Sequence, residues 1–194
     1  MSWYLDVKKN ESWVYAEKAF SPEECDLIIE LGSKLKPVNA EVNVGLLTYS
    51  INNDIRKGNV GFFDSNEKSA EWIFRKATDY VLEINKKFWN YDLDYIETLQ
   101  FTSYKNVGDF YEKHVDQVSS GAHYRKLSFS VQLSDPDSYE GADLILHFKP
   151  DGNPVNKKKG DMVFFPSHVL HEVTPLVKGE RHSLVGWVCG PSFR

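Results

Sequence analysis

Tyr111-Glu-Lys-His-Val-Asp116, read together with His171-Glu-Val-Thr-Pro-Leu-Val-Lys-Gly-Glu-Arg181, decides what kind of chain this is. His114 and Asp116 are two apart, and on an extended strand the side chains of i and i+2 share a face. One short strand can therefore present an imidazole and a carboxylate to a single ion. His171 supplies a second imidazole from a distant segment. Arg181 lies ten residues beyond His171, far enough to leave that strand, turn around Lys178-Gly179-Glu180 and return on the next one. Ser183, two residues on, then shares the face of Arg181. The whole reading requires β-strands arranged around a common site.

Two imidazoles and one carboxylate on one side of an ion leave the opposite positions open, which suits non-haem Fe(II) that must bind a cosubstrate and O2 together. A structural zinc site wants four ligands, often thiolates, and Cys25 and Cys189 are too few and too far apart for that. Catalytic zinc with a bound water stays open at this point, since the same trio can hold it. A guanidinium beside the metal can grip a carboxylate bidentately, worth roughly 1.5–3 kcal/mol when well formed. A dicarboxylate would then chelate the ion at one end and meet Arg181 and Ser183 at the other. An isolated His-Val-Asp is a common tripeptide, and an isolated arginine is usually a surface residue; the joint pattern is far more specific. Of the other histidines, His182 neighbours Arg181 and should face the opposite side of its strand. His123 and His147 have weaker claims, and His168, three residues before His171, is the rival ligand.

The run from Tyr104 to Trp187 resembles the Fe(II)/2-oxoglutarate oxygenases of the prolyl 4-hydroxylase type, including the bacterial PKHD-type hydroxylases. The resemblance is carried by Tyr104 to Asp116, Arg125 to Leu144, Gly160 to His168 and His171 to Arg181, in that order, ending at Trp187. It implies that His114, Asp116 and His171 are iron ligands, that Arg181 binds the distal carboxylate of 2-oxoglutarate, and that Tyr104 is a pocket tyrosine bonded to the cosubstrate. Arg125 resembles a substrate-side arginine at the mouth, and Trp187 and Val173 match pocket-lining positions. Some prolyl hydroxylases have a tyrosine where this chain has Gln132, which places Gln132 in the cosubstrate pocket. The Gly-Gly-Glu common after the third strand is here Gly141-Ala142-Asp143, a mild departure. The implied cofactors are Fe(II), 2-oxoglutarate and O2, with ascorbate as an accessory. The implied substrate is a prolyl residue of a protein or peptide, with a free amino acid or another small molecule behind it. Two other classes stay open: a sensing protein that keeps the metal without turnover, and a zinc hydrolase, which has no use for Arg181 as an oxoacid clamp.

The rest of the chain fits one such domain over residues 1–194. It is 41% hydrophobic and 14% aromatic, far from a disordered composition. A net charge of −5 argues against a general nucleic-acid backbone binder. Lys157-Lys-Lys159 is the one dense basic run and reads as a solvated turn. No apolar stretch reaches the ~18–20 residues needed to cross a bilayer, no signal-peptide pattern opens the chain, and the expectation is a cytoplasmic protein of undetermined oligomeric state.

Periodicity places the motifs. Trp13–Ala19 reads as a strand, and Ser21-Pro-Glu-Glu24 opens a helix running to about Leu35: a serine cap, proline in the first turn, acids near the positive end. A second helix is expected from Asn66 to Phe88, burying a face that carries Ala70, Ile73, Phe74, Ala77, Tyr80, Val81 and Ile84. After Tyr95 the chain turns to short strands around Thr98–Tyr104, Lys126–Leu133, Leu144–Phe148, Asp161–Phe165, His171–Thr174 and His182–Val188. Helices first and then many strands predict a mainly β fold, a double-stranded β-helix (jelly roll, cupin-like) with N-terminal helices packed on one sheet. Residues 1–95 would supply helical support and N-terminal strands, and 96–194 the catalytic β core. Ala40–Asp64, with Asn53–Val60 within it, and Gln117–Tyr124 are expected to be loops over the mouth that shape substrate choice.

Overall fold

Alternation along three strands of one sheet generates the architecture. In Leu99–Tyr104, Leu99 and Phe101 join an apolar cluster on one face while Gln100, Thr102 and Tyr104 line a cavity on the other. In Arg181–Pro191, Leu184 and Val188 take the apolar side, and Arg181, Ser183, Val185 and Trp187 the cavity side. Met162 and Phe164 divide from Val163 and Phe165 in the same way along Met162–Pro166. The side-chain period of two is what puts one set under the helices and the other between two sheets.

The structure, a computed structural model, describes residues 11–39, 41–43, 49–51, 55–120 and 123–192. Its larger sheet is antiparallel and runs, in spatial order, Val14–Ala16, Met162–Pro166, His123–Gln132, Arg181–Pro191, Leu99–Tyr104, Asn59–Phe63 and Val38–Asn39. Facing it is a five-stranded sheet of Asn153–Pro154, Leu144–Leu146, His171–Val173, Phe110–His114 and Arg56–Lys57. This is the double-stranded β-helix. Strands from before Tyr95 and after it share both sheets. Leu144, Leu146, Val163, Phe165, Val173 and Leu176 fill the space between the sheets beside the cavity.

Helix α1 (Pro22–Ser33) opens with a capping box: the Glu24 N–H donates to Ser21 Oγ at 3.2 Å and the Ser21 N–H to the Glu24 carboxylate at 2.7 Å. Helix α2 (Glu71–Phe88) buries Ile73, Ala77, Val81 and Ile84 against the larger sheet. It starts later than the apolar spacing suggests. The Asn66 N–H is taken by Asp64 Oδ1 at 2.9 Å and the Ala70 N–H by the Glu67 carbonyl at 2.9 Å, so 64–70 is spent on turns. Gly186 makes room for the ring of its cross-strand neighbour Phe129, because a Cβ there would lie 2.2 Å from that ring.

Other boundaries also move. The first strand is only Val14–Ala16, ended by Lys18 at φ 54°, whose N–H donates to Asp161 Oδ1. The expected loop at 40–64 contains the strands Arg56–Lys57 and Asn59–Phe63, each hydrogen-bonded into a sheet, and a hairpin of Glu41–Asn43 with Tyr49–Ile51. Residues 40, 44–48, 52–54 and 121–122 of the two expected mouth loops lie outside the described residues. The lysine run is paired: Lys157 with Asp143, and Lys159 with Asp26 at 2.5 Å. Among the described residues no helix is long and apolar enough to cross a membrane.

Candidate metal and oxoacid site

Register brings the distant motifs together. His171 stands opposite His114 across the smaller sheet, and Val173 opposite Tyr111. Arg181 pairs with Tyr104, and Ser183 with both Thr102 and Gln132, in the larger one. Asp116 is reached differently from the expected single strand. The strand ends at His114, and the Asp116 and Gln117 N–H groups donate to the Ser167 carbonyl at 3.0 and 2.9 Å. The chain thus leaves the ladder yet still delivers the carboxylate to the same centre.

Ligand atoms of His114, Asp116 and His171 lie within 4.8 Å of one another. His114 Nε2 is 3.6 Å from Asp116 Oδ1, and His171 Nε2 is 3.4 Å from Asp116 Oδ2. Each ring is oriented by its other nitrogen: Nδ1 of His114 meets the Glu112 carbonyl at 2.7 Å, and Nδ1 of His171 the Val169 carbonyl at 2.9 Å. A carbonyl only accepts, so Nδ1 carries the proton and both Nε2 lone pairs are left for an ion. Burial, then repulsion from His171, pushes His114 down to about 3, which keeps it neutral and able to ligate. Burial alone would raise the Asp116 carboxyl, but His171, His114 and the Ser128 hydroxyl outweigh it and hold it below the usual carboxylate range. Ser128 Oγ donates to Asp116 Oδ2 at 2.8 Å and lies 2.9 Å from Ser167 Oγ. The Trp187 indole N–H sits close enough to favour ionised Asp116 without meeting hydrogen-bond geometry. Two imidazoles with free Nε2 atoms, one ionised carboxylate and no thiolate among them make a donor set that fits a divalent ion with open positions.

A cavity opens beside this trio. Arg181, 2% exposed, lines it together with Tyr104, Thr102 and Ser183. Its Nε and Nη2 donate to Gln132 Oε1 at 3.3 and 3.1 Å, and its guanidinium lies 5.6 Å from the Tyr104 ring centroid. Gln132 therefore buttresses Arg181 and does not itself line the cavity. Burial raises the Tyr104 phenol, so it stays a neutral donor. Val173 and Trp187 line the cavity as expected from their faces. Arg125 does not line it. Its Nε and Nη2 bind Glu97 at 2.8 and 2.6 Å, and its guanidinium covers the Trp187 ring at 4.0 Å.

The remaining histidines are used elsewhere. His182 stacks on Phe101 and bonds Ser103 on the opposite side of its strand, His147 pairs with Glu172, His123 with Asp94, and His168 is exposed. Sequence reading passed over Tyr111, stacked on His114 at 3.6 Å, and the serine pair behind Asp116. Tyr111, three before His114 at the strand's opposite end, carried no signal of a stack. Ser128 alternates with Phe129, which only marks it as facing away from the helices.

Residues 99–189 match the family model of the 2OG-Fe(II) oxygenase superfamily. A PKHD-type hydroxylase of Maricaulis maris (strain MCS10) is 40% identical over 82 residues, covering 42% of this chain and 37% of that protein. The chain thus spans less than half the length of the curated relatives it matches. A viral collagen prolyl hydroxylase of Paramecium bursaria Chlorella virus-1, solved with 2OG, superposes with a TM-score of 0.67 at 19% identity, covering 93% of this chain and 97% of that one. A Trichoplax adhaerens prolyl hydroxylase in complex with a hypoxia inducible factor peptide gives 0.70 at 16% identity, covering 91% and 83%. His114, Asp116, His171 and Arg181 all lie inside the stretch, residues 99–189, that is similar to the 2OG-Fe(II) oxygenase superfamily.

Proposed function

We propose that this protein is an Fe(II)- and 2-oxoglutarate-dependent dioxygenase that hydroxylates an unactivated C–H bond, with a prolyl residue of a protein or peptide as first substrate. One observation carries the reading: a three-donor metal set and a buried arginine line the same cavity. His114, Asp116 and His171 would hold the ion, and Arg181, steadied by Gln132, would take the distal carboxylate, with Tyr104 and Ser183 as nearby hydroxyl donors. Fe(II) and 2-oxoglutarate supply the oxidation, in which one oxygen of O2 enters the substrate and the other leaves in succinate as CO2 is released. The chain's own part is positional and dielectric. Phe165, Leu144, Val173 and Trp187 give the cavity apolar walls, which strengthen charge-assisted bonds at Arg181. The prolyl substrate is supported by the fold neighbours named above, one of which binds a peptide.

Anaerobic titration of the iron-loaded protein with 2-oxoglutarate tests this. A weak visible charge-transfer band is expected in wild type and a higher 2-oxoglutarate requirement in Arg181→Ala, with succinate formed in air. No band, no succinate and tighter zinc binding would favour a hydrolase or a binding protein.

A further inference from the structure

Arg56 begins the strand Arg56–Lys57 and stands opposite Tyr111 in the smaller sheet. It is only 7% exposed, and its Nε is buried without a hydrogen-bond partner. Its guanidinium lies 4.5 Å from the Tyr111 ring centroid, and that ring stacks on the His114 imidazole at 3.6 Å. It lines the same cavity as the metal trio. Among the described residues, no carboxylate pairs with it, whereas Arg125 holds Glu97. A ring face offsets only part of what it costs to take a guanidinium out of water.

The charges of the cavity point the same way. Arg56, Arg181 and Asp116 are the permanently charged groups that line it. A divalent ion and a dianionic oxoacid cancel one another, and Asp116 cancels one arginine. The positive charge left over is Arg56, which has no carboxylate partner among the described residues. A group built into a strand, nearly buried and aimed into the cavity with an idle N–H is prepared for an anion brought by the substrate.

We infer that Arg56 is an anion subsite and that the molecule hydroxylated presents a carboxylate to it, a conclusion that rests on the cosubstrate reading above for its charge count. The carboxylate comes either from the terminus of an amino acid or peptide or from an acidic side chain beside the reacting residue. Arg56 then selects substrate by holding that carboxylate two stacked rings from the metal, fixing which C–H bond faces the ion.

Calorimetric titration of the Mn(II)-loaded protein with 2-oxoglutarate, without O2, separates these sources. The probes are N-acetyl-proline against its amide, and N-acetyl-prolyl-aspartate amide against N-acetyl-prolyl-asparagine amide. At least one acid should bind about tenfold or more tightly than its neutral match, a preference of the size expected for a charge-assisted pair. Arg56→Gln should abolish that preference, and Arg56→Lys, which keeps the charge but loses the fork, should keep part of it. Acids and neutral matches binding alike, neither acid binding, or a preference that survives in Arg56→Gln would each overturn the inference. Failure of wild type to bind 2-oxoglutarate would instead count against the cosubstrate reading. The same comparison on the Mn(II) protein alone, with Arg181→Ala retaining the acid preference, would still decide Arg56.

Discussion

Ser128→Ala should weaken metal binding although Ser128 touches no metal. The hydroxyl is fully buried and sits between two oxygens, 2.8 Å from Asp116 Oδ2 and 2.9 Å from Ser167 Oγ. An ionised carboxylate only accepts, so the Ser128 proton is committed to Asp116 and Ser167 must be the donor to Ser128. The substitution removes a bond to a charged group, worth roughly 1.5–3 kcal/mol, and burial keeps water from replacing it. Outer partners of metal ligands carry about 10–100-fold in metal affinity, and a 0% exposed site belongs in the upper half of that range. Ser167→Ala deletes only the neutral bond behind it, roughly 0.5–1.5 kcal/mol, so its loss should stay below about tenfold. Ser128→Thr keeps the hydroxyl and should recover most of the affinity. Mn(II) titration by calorimetry, with far-UV dichroism to check the fold, reads the series. Unchanged affinity in Ser128→Ala, or a larger loss in Ser167→Ala than in Ser128→Ala, would refute the relay.

Two further outcomes follow from the geometry. His114 is pushed down to about 3 from 6.5, so in the metal-free protein the unfolded chain takes up a proton there well before the folded one does. Stability should therefore fall as pH drops through that window, by up to about 1.4 kcal/mol per pH unit; melting curves from about pH 8 to about pH 5 should show the slope, and His114→Gln should flatten it. A flat wild-type profile would contradict a neutral buried His114. Gly186→Ala forces a methyl into the Phe129 ring and should cost about 1–3 kcal/mol in chemical denaturation; a neutral change would mean the Phe129 ring can move aside without penalty.

Local chemistry was enough for much of this molecule. The Ser21 cap, the spacing of Ile73, Ala77, Val81 and Ile84, and the alternation in Leu99–Tyr104 and Arg181–Pro191 are written in adjacent residues, and each sets a face by simple periodicity. The trio of His114, Asp116 and His171 and the partner Arg181 were likewise legible, because their chemistry is rare in that combination. What tertiary structure alone decided is who meets whom across strands. Arg56 faces Tyr111 because two strands distant in sequence pair in one register, and nothing near residue 56 encodes that. Gln132 is turned onto Arg181, Arg125 is held by Glu97, and Ser128 reaches Asp116 through the same long-range pairing. Asp116 itself lies past the end of its strand, placed by the Ser167 carbonyl. Period and capping are local and survive in a sequence; hydrogen-bond partners depend on register between remote segments, which only the packed sheets determine.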